Sequence, residues 1–122
     1  MDLGANQDPY EHHGKWEWDL VRSARVVLDI GINYFGWTRA EALRFWNANI
    51  PNQDDISERE INRMFNWPAQ VLAYQVGERK FLELRKRMEN QQGKAFDLKK
   101  FHAEVLARGS IPLPVLDEII GE

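Results

Sequence analysis

From Trp67 to Met88 the sequence WPAQVLAYQVGERKFLELRKRM carries the longest helical pattern in the chain. Trp67, Val71, Tyr74, Gly77, Phe81, Leu84 and Met88 recur at spacings of three and four, which puts them on one face of a helix. Pro68 suits the first turn, where a missing N–H has no intrahelical partner to lose. The pattern predicts a helix from Pro68 to about Gln92, closed by Gly93, that acts as the spine of the domain. Gln70 and Tyr74, four apart, share a face of its first turns, either as a structural hydrogen-bonded pair or as part of a binding surface. The half beyond Gly77, dense in charges such as Glu83 and Arg87, reads as a solvated face.

Capping signals divide the rest. Residues 15–35 form a first helix, with Trp18, Val21, Arg25, Leu28 and Ile32 on one face and Leu20, Ala24, Val27 and Tyr34 broadening it. Gly31 interrupts this helix and permits close approach of a neighbour. Thr38 with Glu41, and Ser57 with Glu60, each have capping-box spacing, which starts a second and a third helix. Between them, Pro51 and the polar run Asn52–Asp55 read as a loop. The third helix ends near Asn66, because the residue before a proline is pushed out of helical geometry. Asp97 caps a fifth helix whose Leu98, Phe101, Val105 and Leu106 bury one side. Pro112 and Pro114 open a sixth, with Leu113, Leu116, Ile119 and Ile120 inward. No alternating strand pattern competes, so the class is all-α: a five- or six-helix bundle with short loops. At 122 residues one helical domain over 15–122 is expected, behind a flexible leader at 1–14 punctuated by Gly4, Pro9 and Gly14.

Composition narrows the chemistry. A formal charge of −3 with interleaved signs and no basic stripe argues against nucleic acid. No apolar run is long enough to span a membrane. The absence of cysteine removes disulfides and thiolate chemistry; it is compatible with a cytoplasmic setting and leaves localisation open. His12, His13 and His102 are the only imidazoles, and no His-Glu-x-x-His, nucleophile elbow, P-loop or dinucleotide fingerprint occurs, so no metal site is assigned to this chain. What does recur among apolar surroundings is a polar set. Arg25 and Asp29, four apart, have ion-pair spacing, and Arg22, Arg63, Gln70 and Tyr74 complete it. Arginine holds a carboxylate bidentately and tyrosine donates to a developing oxyanion. Tyr74, Arg25 and Asp29 are therefore candidates for supporting catalytic roles, and Arg22, Arg63 and Gln70 for substrate binding.

The strings RSARVVLDIGINYFGWTRAEAL, EREINRMFNWPAQVLAYQVG and LRKRMENQQGKAFDLKKFHAEVLARGSIPLPVLDEII, in this order and spacing, resemble the C-terminal part of the DUF885 family, bacterial helical proteins related to zinc metallopeptidases. The resemblance covers nearly everything after residue 18. It implies the C-terminal part of a larger helical hydrolase-like fold, whose His-Glu metal segment, and any zinc, belongs to an upstream region of the same polypeptide. Arg22, Arg25, Asp29, Arg63, Gln70, Tyr74 and Gly77 match the family's recurrent polar and glycine positions. Ile30 and Asn33 depart from it, where threonine and histidine are usual, and Asn33 cannot transfer a proton. On this reading the chain supplies cleft wall and substrate-orienting groups for a peptide-like substrate. The alternatives are a stand-alone interaction domain, homodimeric through a Trp-rich apolar face, and an independent enzyme using Arg22, Asp29 and Tyr74.

Overall fold

The structure, a computed structural model, describes residues 8–50 and 54–120. It is all-α, with helices α1 (Pro9–Asn33), α2 (Arg39–Asn49), α3 (Asp54–Asn66), α4 (Leu72–Gln92), α5 (Leu98–Ala107) and α6 (Leu113–Ile119), and a 3₁₀ turn at Gly93–Ala95. No strand occurs among the described residues. The Cα packing gathers into two compact units, Met1–Gln75 and Val76–Glu122.

Three boundaries differ from the sequence reading, each for a local reason. The segment expected as flexible leader is helical from Pro9 on; residues 1–7 lie outside the described residues. Asp8 accepts from the Tyr10 N–H at 2.7 Å and Glu11 reaches back to the Asp8 N–H at 3.3 Å, so a capping box with proline at N1 starts α1 early. α3 begins at Asp54, inside the stretch read as loop, so Ser57 and Glu60 sit within the helix rather than capping it. Both are buried. The side chains of Asp54 and Asp55 lie outside the described residues. α4 begins at Leu72, not Pro68. Ala69 has φ 65°, a left-handed conformation that breaks the helical path, and Leu72 and Ala73 donate to the carbonyls three back, of Ala69 and Gln70, at 3.1 and 3.4 Å. Thr38 and Glu41, by contrast, form the expected box: Glu41 accepts from the Thr38 N–H at 2.7 Å and hydroxyl at 2.8 Å, which holds its carboxyl below the ordinary value.

In the first unit α1, α2 and α3 pack pairwise around Leu28, Trp46, Ile50, Ile61, Met64 and Val71, all essentially inaccessible to solvent. α1 contributes Val21, Ala24, Leu28 and Ile32. Leu20, Val27 and Tyr34, expected to widen that face, are exposed instead. The close approach at Gly31 is made by the Trp37 ring from the turn after α1, not by a helix; a Cβ at Gly31 would overlap that ring. Of the five tryptophans, Trp46 is buried in the core, Trp37 packs beside it, and Trp16, Trp18 and Trp67 face solvent.

The second unit closes on Leu84, Met88, Phe101, Leu116 and Ile120. Asp97 caps α5 by accepting from the Lys99 and Lys100 N–H groups at 2.8 and 3.3 Å, and Leu106 points to solvent rather than inward. Phe81, part of the expected spine stripe, is also exposed. Asp117 of α6 ties this unit together. It accepts from Lys80 at 2.8 Å and Arg87 at 2.7 Å, and Arg87 also donates to the carbonyls of Asp117 and Ile120 at 2.9 and 2.8 Å. The Lys80 hydrogen bond holds the Asp117 carboxyl below its ordinary value, and in turn Asp117 raises the Lys80 ammonium above its own. The depressed carboxyl contributes stability at neutral pH that is lost as pH falls through its lowered value; the raised ammonium contributes stability that is lost as pH rises through its raised value. Asp117→Asn should therefore melt at a lower temperature than the native chain at neutral pH, and the difference should vanish in strong acid, as read by circular dichroism across a pH series. A constant difference at every pH would mean that packing, not charge, is what Asp117 supplies.

Candidate functional site

Four of the six polar residues singled out from the sequence meet where α1, α3 and the turn between α3 and α4 come together. α1 carries Arg25 and Asp29 there, α3 carries Arg63, and the turn after α3 carries Gln70. Arg25 and Asp29 lie on the α1 face that buries Val21, Leu28 and Ile32, and both are buried with it. On α3, Glu60 and Arg63 neighbour the inaccessible Ile61 and Met64.

The pairing differs from the expected Arg25–Asp29 ion pair. Arg25 Nη2 lies 2.9 Å from Glu60 Oε2, with both side chains under a tenth exposed. Neither Glu60 Oε2 nor Arg25 Nε has a well-aligned hydrogen bond, so the contact is coulombic rather than a bidentate fork. The Arg25 guanidinium sits 5.8 Å from the Trp18 ring centroid, which shields it from the other side. Asp29 turns to the backbone: its Oδ1 and Oδ2 accept from the Ala69 N–H at 3.1 and 3.0 Å. The physical reason is the left-handed turn at Ala69, which directs its N–H into the domain, where a carboxylate on the next helical turn from Arg25 can satisfy it.

Above this buried layer Arg63 and Gln70 are only half-buried. Arg63 Nη2 donates to Gln70 Oε1 at 2.6 Å, and Arg63 Nη1 stands 3.9 Å from Glu60 Oε2. Asn33 Nδ2 donates to the Met64 carbonyl at 3.3 Å, so the residue standing where the resemblance has histidine serves here as a tie between α1 and α3. Two expected members stay outside the cluster. Arg22 pairs with Asp19 on its own helix. Tyr74 is about half exposed, and because α4 starts only at Leu72, Gln70 and Tyr74 do not share a helical face. Glu60 is the residue that sequence reading missed. Its spacing from Ser57 made it a capping glutamate, yet its placement beside Ile61 and one turn before Met64 already put it on the buried face.

The family model for DUF885, described as a bacterial protein of unknown function, matches residues 1–120. The chain belongs to the DUF885 family. No curated protein and no solved structure matches it. In this DUF885 chain the cluster sets two arginines, Arg25 and Arg63, against two buried carboxylates, which are committed to Ala69 and Arg25. A guanidinium 2.9 Å from Glu60 opposes a divalent cation, so these residues do not fit a metal site. Among the described residues no group of three histidine, aspartate or glutamate side chains is placed to hold one. The surface depression lined by Trp37, Glu41, Arg44, Phe45, Ala48 and Asn49 includes none of the cluster residues.

Proposed function

We propose that this DUF885 chain is the C-terminal helical region of a metal-dependent, peptidase-like hydrolase, and that it contributes cleft wall and substrate-orienting groups rather than the metal. The carrying observation is the layered corner between α3 and α4. Buried Arg25, Asp29 and Glu60 fix the backbone, and half-buried Arg63 and Gln70 stand on the rim above them, 2.6 Å apart. A guanidinium and an amide held against each other in this way suit recognition of a peptide's carbonyl and carboxylate groups. The metal and its base belong to a region outside these residues. Tyr74, half exposed in the first turn of α4, is the remaining donor suited to a developing oxyanion.

Isothermal titration and amide chemical-shift mapping with short peptides, on the purified chain with and without added zinc, test this reading. Weak peptide binding that perturbs Arg63, Gln70 and Tyr74 without turnover is the expected result, and Arg63→Ala should weaken it about 10-fold, the loss of one charge-assisted contact. Robust peptide hydrolysis by the chain alone with stoichiometric zinc would sink the proposal.

A further inference from the structure

α1 carries a second apolar stripe that the core of the first unit does not bury. Trp16, Leu20, Ser23, Val27 and Ile30, with Tyr34 at the residue that caps the helix, follow one another at spacings of four, three, four, three and four. The five steps span 18 residues, 3.6 per step, so the stripe runs straight along one side of the helix. The inward stripe of the same helix, Val21, Ala24, Leu28 and Ile32, is filled by the core, whereas the five apolar members of the outer stripe are between 39% and 80% exposed. Ser23, at the middle, is exposed as well, its hydroxyl accepting from Gln75 Nε2 at 3.3 Å.

We propose that this seam is a homodimer interface, in which α1 pairs antiparallel with α1 of a second copy. The spacing is palindromic. A twofold axis crossing the helix at the level of Arg25 exchanges Trp16 with Tyr34, Leu20 with Ile30, and Ser23 with Val27. Aromatic thus meets aromatic at both ends, branched aliphatic meets branched aliphatic further in, and the small serine meets valine at the centre, where the helices come closest. Such self-complementarity is what an isologous contact requires and what an unrelated partner does not. The area is also sufficient. A large aromatic side chain covers about 150–250 Å². With Trp16 and Tyr34 mostly exposed and three half-exposed aliphatics between them, each copy presents on the order of 500 Å². Pairing two copies then buries about 1,000 Å², the lower bound of a specific interface and the size range of weak, reversible association. The inference does not rest on the hydrolase reading, and neither outcome of a peptide-binding experiment bears on it.

Sedimentation velocity on the full chain from about 1 to 100 μM is the test, since weak, reversible association is populated in that window. A concentration-dependent monomer–dimer equilibrium is expected, with Val27→Glu raising the dissociation constant at least 10-fold, the effect of placing a charge in the seam, while leaving helical content and melting temperature at native values. Because the chain has no cysteine, register is read directly. The double variant Leu20→Cys with Ile30→Cys should oxidise to a covalent dimer, whereas Leu20→Cys alone should not, because only the exchanged positions come within disulfide reach. A monomer throughout the concentration range, or a Val27→Glu variant that dimerises like the native chain, overturns the proposal; so does efficient cross-linking of the single Leu20→Cys variant, which marks a parallel pairing.

Discussion

Glu60→Ala should cost the first unit about 3–5 kcal/mol, the range found when one partner of a buried ion pair is removed. The large value comes from what is left behind rather than from what is lost. With both side chains under a tenth exposed, the Arg25 guanidinium would keep its charge in the core with no carboxylate facing it. The Trp18 ring beside it offers only a weak substitute. Arg25 Nε already lacks a partner, so the site has no slack from which to repair itself. Urea unfolding followed by tryptophan fluorescence reads this loss, since Trp46 sits in the same core. Two companions separate charge from packing. Glu60→Gln keeps an oxygen acceptor and should lose less. The pair Arg25→Met with Glu60→Leu removes both charges and should recover most of the stability lost by Glu60→Ala, because well-packed apolar residues replace buried pairs at little net cost. If the double variant is as unstable as the single one, the guanidinium is not what Glu60 neutralises.

The same residue shows where sequence reasoning reaches and where it stops. Helix class and the caps at Thr38 and Asp97 are local: they depend on residues within one turn, and the Thr38–Glu41 and Asp97–Lys99 contacts form as spacing predicts. The family, too, is legible, because its recurrent strings run along nearly the whole chain. The partners of the charged residues are not local. Arg25 and Asp29 have ion-pair spacing on α1, yet the competing groups, Glu60 and the Ala69 N–H, come from 35 and 40 positions away, and tertiary packing decides between them. Ser57 and Glu60 have capping-box spacing, but a capping box requires a helix that starts there, and α3 starts three residues earlier. The exposed seam of α1 was visible only as breadth of an apolar face; which half of a wide stripe is buried depends on where α2 and α3 lie against it.

Asp29→Ala should be the second most damaging change, at about 2–3 kcal/mol, and its effect should concentrate at one turn. Ala69 adopts φ 65°, a left-handed conformation that costs an L-residue roughly 1–2 kcal/mol. The Asp29 carboxylate offsets that strain by taking the Ala69 N–H with both oxygens, a charge-assisted hydrogen bond worth about 1.5–3 kcal/mol. Without it, a strained turn would hold an amide in the domain with no acceptor, and the segment from Trp67 to Val71 would relax toward ordinary helical geometry. Gln70 follows Ala69 directly, so relaxation would carry its amide away from Arg63 and break the 2.6 Å contact on the rim. Ala69→Gly tests the strain independently: glycine adopts positive φ freely, so this variant should gain about 1 kcal/mol over the native chain. The gain should shrink in the Asp29→Ala background, where the turn is no longer held left-handed, and a double-mutant cycle between the two sites reports that coupling. Hydrogen exchange at the Ala69 amide supplies the local reading. It should be slow in the native chain and fast in Asp29→Ala, with Asn at position 29 in between because its amide keeps one oxygen acceptor. Unchanged exchange at Ala69 in the alanine variant would show that the carboxylate stabilises the core without holding the turn, and would detach Asp29 from the geometry of Arg63 and Gln70.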